Sequence, residues 1–480
     1  MNQNAIYFIN TAVSRRAFLQ MASACVGASL VRSAFADQQA KPNIVLILID
    51  DLGWMDFGCY GNTVIDTPNF DRLAREGMRF TNAYANCPVC SPSRAAILTG
   101  KYPARLRFTG HITATGKHRH PENSAILPPD DRMHVPLEET SLAEALNHAG
   151  YVSAHVGKWH VGEEGYWPEQ QGFDVNIGGW TAGSPPSYWY PYTRPGVEWN
   201  PAIPTLQGGK EGEYLTDRLT DESIAFIEAN RDKPFFLNLW HYAVHTPLQA
   251  LPDLVKKYKA KVKLSDRKID PVYAAMVERT DAQVGRILDA LDRLGLTDNT
   301  AIIVTSDNGG LSTATDNRPL REGKGFLYEG GIRVPLVVKW PGHTPPGAEC
   351  ETPVIGADLY PTIAHMASAG ESTVDGVDLT SLLHGEQYFP ERPLFWYYPH
   401  YSPQANQPGA AVRLGQFKLI EHYDPPGIEL YDLHADPSEK LDLAAASKER
   451  AAAMSGMLKQ WLVDVNAQMH TANNSIPLTP

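Results

Sequence analysis

The run Ile44-Val45-Leu46-Ile47-Leu48-Ile49, followed at once by Asp50-Asp51, constrains this chain more than any other segment. Consecutive aliphatic residues with no polar position between them leave no face for water, so the run reads as a strand buried on both sides. Such strands belong to parallel sheets covered by helices, and ligand sites in those folds lie where the strands emerge. Asp50 and Asp51 fall at that point.

The rest of the chain repeats the same unit. Thr67-Pro68 predicts a helix with Thr67 as its cap and proline in its first turn, closed by Gly77 before a strand over Met78 to Tyr84. Ser141 and Glu144 stand at capping-box spacing ahead of a short helix that ends at Gly150, and a strand follows over Tyr151 to Val156. Val284, Ile287, Leu288 and Leu291 share one helical face, Gly295 stops that helix, and Ala301-Ile302-Ile303-Val304 is the next strand. Strands alternating with helices define an α/β fold on a large, mostly parallel sheet flanked by helices. Near Pro390 the pattern changes to short alternating segments, at Ala411 to Arg413, Phe417 to Glu421 and Glu429 to Asp432, then an amphipathic helix over Lys448 to Asn466. This C-terminal part reads as a small antiparallel sheet with one helix on it.

The N-terminus reads as an address. Ser14-Arg15-Arg16-Ala17-Phe18-Leu19 resembles a twin-arginine export signal, an apolar stretch runs to about Val31, and Ala34-Phe35-Ala36 offers a cleavage site. Residues 1–36 are therefore assigned to a signal peptide, with the twin-arginine export machinery as a partner and the periplasm as the destination. An ordinary amphipathic helix is the competing reading, and a lipid anchor at Cys25 a minor one, since Ala22-Ser23-Ala24 lacks the usual leucine. No run reaches the ~18 apolar residues of a membrane span.

The formal charge is −12, and the leader holds three arginines and no acid, so the exported chain is more acidic still. That argues against nucleic acid as a partner, while a local cluster of cations can still receive an anionic substrate. Of the five cysteines, four lie beyond the leader, too few for a disulfide scaffold in a chain of this size. Whether Cys59, Cys87 and Cys350 include a bonded pair is open at this level.

The most informative stretch is Cys90-Ser91-Pro92-Ser93-Arg94-Ala95-Ala96-Ile97-Leu98-Thr99-Gly100. Ser91 suits an N-cap, Pro92 the first helical position and Gly100 the stop, so Cys90 falls at a helix N-terminus, where free N–H groups attract anions. Arg94, one turn on, can reach back to the same anion. A buried structural cysteine is the plain alternative. Asp307 and Asn308 end another strand, and with Asp50 and Asp51 they make an oxygen-rich set suited to a hard cation such as calcium. Each acidic pair alone also suits a turn or a helix cap. In an extended Gly157-Lys158-Trp159-His160-Val161-Gly162, Lys158 and His160 point to one face.

Cys-x-Pro-Ser-Arg with its Leu-Thr-Gly ending resembles the signature of type I, formylglycine-dependent sulfatases of the alkaline-phosphatase-like superfamily. The Gly157 to Gly162 segment, His245-Thr246-Pro247, Lys324 in Glu322-Gly323-Lys324-Gly325, and Glu329 to Pro335 are similar to further segments of that family. The resemblance spans nearly all of residues 41 to 440. It implies an alkaline-phosphatase-like fold, with residues 37–389 as the catalytic domain and 390–480 as a small C-terminal subdomain. It also implies that a formylglycine-generating enzyme oxidises Cys90 to 3-oxoalanine, and that Asp50, Asp51, Asp307, Asn308 and the converted Cys90 hold Ca2+. Arg94, Lys158 and Lys324 would neutralise sulfate oxygens, His245 and Lys324 would protonate the departing alcohol, and His160 would accept the proton whose loss expels sulfate. The implied reaction is sulfate release from a sulfated small molecule or saccharide, such as a galactose or N-acetylgalactosamine sulfate. A phosphate or phosphonate ester hydrolase of the same fold and a non-catalytic glycan-binding relative are the rival readings.

Tyr188-Trp189-Tyr190-Pro191-Tyr192 with Trp180 and Trp199, and later Phe395-Trp396-Tyr397-Tyr398-Pro399-His400-Tyr401, read either as stacking faces for sugars or as packed loops. Lys117-His118-Arg119-His120 reads as an anchor for further sulfates or as a solvated loop.

Overall fold

All seven residues of the first strand, Asn43–Ile49, are buried, as its aliphatic composition demands. A computed structural model describes residues 41–474 apart from positions 114, 119, 371 and 387. The leader readings, Cys25 included, and Arg119 lie outside the described residues.

In chain order the main elements begin with β1 (Asn43–Ile49), α1 (Pro68–Glu76), β2 (Met78–Tyr84), α2 (Cys90–Thr99), α3 (Leu142–His148), β3 (Val152–Gly157) and β4 (Val175–Ile177). Next come α4 (Leu215–Ala229), β5 (Phe235–His241), α5 (Pro271–Leu294), β6 (Thr300–Ser306), β7 (Arg333–Lys339), β8 (Ala348–Cys350), β9 (Val354–Ile355) and α6 (Leu359–Met366). The last are β10 (Leu394–Tyr398), β11 (Gly409–Leu414), β12 (Phe417–Tyr423), β13 (Pro426–Asp432) and α7 (Lys448–Asp464).

The large sheet has nine strands, with β1 at its centre between β6 and β5. The order is β9-β2-β7-β6-β1-β5-β3-β4, and β8 pairs with β2. β1 runs parallel to both neighbours, while β7 is antiparallel to β2 and to β6 and is the one reversed strand in the described sheet. Alternation along β1 then builds two cores. Val45, Ile47 and Ile49 pack with α1, α4 and α5 on one side, and Ile44, Leu46 and Leu48 pack with α2, α3 and α6 on the other. A sheet covered by helices on both faces explains why the strand is aliphatic throughout Ile44 to Ile49.

The second sheet, β10-β11-β12-β13, is an antiparallel meander. Its core joins α7 (Met454, Leu458, Trp461) to Tyr84, Val89 and Ala96 from β2 and α2, so it backs the helix that begins with Cys90. Several local expectations are met. The Ser141–Glu144 capping box closes in both directions, at 3.1 and 2.7 Å. Val284, Ile287, Leu288 and Leu291 are all buried on α5, and Gly295 ends that helix in the left-handed region at φ 69°.

Thr67 precedes α1 as expected but does not cap it with its side chain. Its hydroxyl instead accepts the Gly58 N–H at 2.7 Å, tying down the preceding turn. Ser91 is likewise no cap. α2 starts two residues earlier, with Val89 as the boundary, and Ser91 Oγ accepts the Ile112 N–H at 3.1 Å. Cys59, Cys87, Cys90 and Cys350 are free thiols. Among the described residues, no helix is long and apolar enough to cross a membrane.

Candidate active site

Strand ends and one helix start meet at the C-terminal edge of the central strands. β1 delivers Asp50 and Asp51, β6 delivers Asp307 and Asn308, β3 leads into Lys158, and α2 presents Cys90 from its first turn. Asp51 takes a positive φ of 60°, which turns the chain away from the sheet directly after the second carboxylate. Gly157, at φ 103°, lets the chain leave β3 against β5, since a Cβ there would lie 2.0 Å from the Trp240 carbonyl oxygen.

The charges are paired in a fixed pattern. Lys158 Nζ donates to Asp50 Oδ2 at 2.6 Å, and Lys324 Nζ to Asp51 at 2.6–2.8 Å. Arg94 Nε donates to Asp307 Oδ2 at 2.7 Å, its Nη1 to the Lys158 carbonyl at 2.9 Å, and its guanidinium sits 5.1 Å from the Trp240 ring centre. Arg94 therefore spans from α2 to β6 rather than folding back onto Cys90. Lys324 Nζ is 3.5 Å from Cys90 Sγ. Two triads, Asp50–Cys90–Asp307 and Asp51–Cys90–His245, each bring three ligand atoms within 4.8 Å of one another, with Cys90 common to both.

Burial sets the protonation. It pushes Asp50 up to about 8, with Asp307 and Asp51 adding to the rise and Lys158 and Arg94 opposing it. Burial also acts on Asp51, but Lys324 and then His245 outweigh it and hold that carboxyl well below the usual range. Burial raises the Cys90 thiol to about 11 against the pull of Lys158 and Lys324, so the unmodified side chain is a thiol at neutral pH. His245 drops to about 3, by burial first and then by Lys324.

A cavity of about 720 Å³ opens above Cys90, with Lys324, His160 and His245 in its wall. Lys158 is fully buried, does not line this cavity, and is held by Asp50. The chain is extended only to Gly157, and His160 adopts φ 59°, so the two side chains do not share a strand face as strict alternation would require. His160 Nε2 instead bonds the Ile112 carbonyl at 3.2 Å. The candidate metal ligands and catalytic residues thus gather in one region, some by routes other than those expected.

The aromatic runs divide differently. Tyr188, Tyr192, Trp396 and Tyr398 are buried in the cores and offer no sugar-stacking face, because their apolar area fills space between the sheets and their helices. Tyr188 does serve the site, since its hydroxyl donates to the carbonyls of Tyr242 and His245 at 2.7 and 2.9 Å. Trp199 and Tyr401 reach the cavity, as do Lys117, His118 and His120. His111, Ser402 and Gln404 line it too and carry no motif that would have singled them out.

This constellation, on a sheet of this order, is that of an ester hydrolase acting on a tetrahedral oxyanion. The sulfatase family model matches residues 42–369, and a second model, N-sulphoglucosamine sulphohydrolase C-terminal, matches residues 322–468. A sulfatase of Formosa agariphila is 32% identical, with 90% of each chain covered. N-acetylgalactosamine-6-sulfatase of Canis lupus familiaris is 34% identical over 85% of this chain and 76% of its own. Among solved structures, Ps i-CgsB in complex with k-i-k-neocarrahexaose superposes with a TM-score of 0.74 at 31% identity, covering 88% of this chain and 93% of that one. The phosphonate monoester hydrolase of Agrobacterium radiobacter shares the fold at 20% identity and a TM-score of 0.63, covering 91% of this chain and 98% of its own. The chain belongs to the sulfatase family, with the alkaline-phosphatase-like fold, and is a hydrolase of sulfate esters.

Proposed function

We propose that this sulfatase is an exported, calcium-dependent enzyme that removes sulfate from a sulfated saccharide, using a formylglycine made from Cys90. The observation that carries the reading is the position of Cys90. It borders the cavity, shared between the Asp50–Asp307 and Asp51–His245 pairs and 3.5 Å from Lys324.

The residues fit a hard cation. Asp50 Oδ1 and Asn308 Oδ1 are both buried without a hydrogen-bond partner, a costly state for polar atoms that a bound ion relieves. Asp50, Asp51, Asp307, Asn308 and the converted side chain at position 90 would hold Ca2+, which supplies Lewis-acid stabilisation of negative oxygen when bound. A hydrated formylglycine supplies two hydroxyls on one carbon, one for attack on sulfur and one whose deprotonation expels sulfate.

The chain's own groups then divide the work. Arg94, Lys158 and Lys324 counter the charge on the sulfate oxygens, which would otherwise repel a nucleophile. Lys324 and His245, both against Asp51, are the candidates to hold and protonate the departing oxygen. His160, with Nδ1 unpartnered and its ring in the cavity wall, is the candidate to accept a proton from position 90. The exposed Trp199 at the rim and the ~720 Å³ cavity suit a sugar ring. The sulfated-sugar names and ligands of the relatives support the same substrate class. Arg15 and Arg16 support export through the twin-arginine route after modification in the cytoplasm.

Chelation followed by readdition tests the reading. Metal-stripped enzyme should lose hydrolysis of an aryl sulfate and of sulfated galactose or N-acetylgalactosamine, and calcium should restore both. Full turnover after verified metal removal would contradict the metal assignment, and faster hydrolysis of the matching aryl phosphate would contradict the preference for sulfate.

A further inference from the structure

His118 lines the outer part of the same cavity, and the buried Asp131 and His400 cluster with it, in a group separate from the Asp50–Cys90–Asp307 set. Their side chains are 6, 1 and 1% exposed. His118 Nε2 is 3.2 Å and His400 Nε2 3.7 Å from one atom, Asp131 Oδ2. Four ligands around zinc at about 2.0–2.1 Å stand roughly 3.3 Å apart along the edges of the tetrahedron. The observed separations bracket that value before any ion draws the groups together. Ligand atoms of all three residues lie within 4.8 Å of one another.

The surroundings fix these groups as a metal site requires. Asp131 accepts the backbone N–H groups of Thr109 at 2.7 Å and Gly110 at 2.5 Å, which holds the carboxylate in place. Gly110 packs so closely under His118 that a Cβ there would lie 2.3 Å from Cε1, so the imidazole is held from below. The His118 and His400 ring centres are 4.1 Å apart. Among the described residues, no Lys or Arg forms an ion pair with Asp131, and its two ion-pair neighbours are the imidazoles of His118 and His400. Hydrogen bonding leaves the cluster incomplete. Thr109 Oγ1 reaches His400 Nε2 at 2.8 Å, but His400 Nδ1 is buried with no partner. Two imidazoles and one carboxylate are a donor set for zinc or a neighbouring transition ion rather than for calcium, which prefers oxygen.

We infer that His118, Asp131 and His400 form a second metal site, selective for a zinc-class ion, beside the substrate cavity. It ties the loop carrying His118 and Asp131 to the segment after β10. Through His118 it adjoins the space that His111 and His120 also line, from which water or a substrate group supplies the fourth ligand. The inference does not depend on the chemistry at Cys90.

Cobalt titration of the calcium-saturated, full-length mature enzyme tests it. One equivalent of Co2+ should bind and give the intense visible absorption of a four-coordinate ion, and zinc should displace it. Cys90→Ala should keep that spectrum. His118→Ala and His400→Gln should each weaken cobalt binding beyond the roughly 10- to 100-fold that loss of an outer partner costs. Calorimetry on the wild type with Zn2+ reads the same event without any variant, so a misfolded mutant cannot mask the answer. Absence of a calcium-independent equivalent at micromolar zinc, or a cobalt spectrum retained in His118→Ala and lost in Cys90→Ala, would overturn the site.

Discussion

Two buried clusters each pair cations with carboxylates, and they differ in one respect that separates chemistry from support. Where β12 of the second sheet meets the segment before β7, Lys418 Nζ bonds Glu329 Oε1 at 3.0 Å and Glu439 Oε1 at 2.9 Å. The remaining carboxylate oxygens are also taken, Glu329 Oε2 by the Tyr84 hydroxyl and Glu439 Oε2 by the Glu329 N–H, both at 2.7 Å. No oxygen of that cluster is left open. In the Cys90 cluster, by contrast, Asp50 Oδ1, Asn308 Oδ1 and Arg94 Nη2 are buried without a hydrogen-bond partner, although Arg94 Nη2 and Asp50 Oδ1 face each other as an ion pair at 3.6 Å. Burying charge is costly in both places. The satisfied cluster offsets that cost internally and joins β12 to the segment before β7. The unsatisfied one keeps its bonding capacity for a cation and an anion that are not part of the chain.

Four substitutions put this contrast to the test. The largest effect belongs to the open cluster. Lys324→Ala or Arg94→Ala removes a donor aimed at developing charge, which costs about 3–4 kcal/mol of transition-state stabilisation, or roughly 100- to 1000-fold in kcat/KM. With calcium bound, the carboxylate left behind still faces a cation, so the melting temperature should move far less than the rate. Steady-state kinetics beside calorimetry checks both halves, and wild-type turnover from a folded variant would remove that residue from the charge clamp.

The closed cluster should answer the other way. Lys418→Met leaves Glu329 and Glu439 buried face to face, a loss of about 3–5 kcal/mol in stability. Denaturant unfolding should register that loss while kcat per folded enzyme stays within about twofold of wild type. A large fall in kcat without a change in stability would erase the distinction between the two clusters. The smallest effect should come from Arg293→Ala. Its 2.7 Å pair with Glu228 joins side chains that are 58 and 45% exposed, where solvent screening leaves at most about 0.5 kcal/mol. A shift as large as that of Lys418→Met would show that burial is not what sets these magnitudes.

Much of the frame was legible because its signals are local. The aliphatic run of β1, the Ser141–Glu144 box and the α5 stripe each encode an element within a few residues, and each is present. The α/β class followed from their alternation. The reversal of β7 was not legible, since strand direction depends on a connection whose path leaves no periodic mark. Ser91 and Thr67 look like helix caps by type, but both hydroxyls are claimed by distant or preceding backbone N–H groups. Residue type names a capable donor or acceptor; tertiary packing chooses its partner.

At the site, the motifs identified the residues and not their pairing. Nothing around Arg94 announces Asp307, which lies on another strand. The aromatic runs illustrate the same limit from the other side. Tyr188 and Trp396 satisfy a core, while Trp199, in a loop without pattern, is the aromatic left exposed at the cavity rim. His111 had no motif at all, and only the fold brings it into the cavity wall beside His160.

Mass spectrometry of the peptide containing position 90, matched to activity on the same preparation, tests the proposed conversion of Cys90 to formylglycine. Active enzyme should carry an aldehyde oxygen in place of sulfur, with turnover rising in proportion to the converted fraction. Cys90→Ser has one hydroxyl and so can accept sulfate but not expel it by reforming an aldehyde; after exposure to substrate its peptide should gain one stable sulfate and turnover should stop. Full multiple turnover from protein whose Cys90 is shown to remain a thiol would contradict the account.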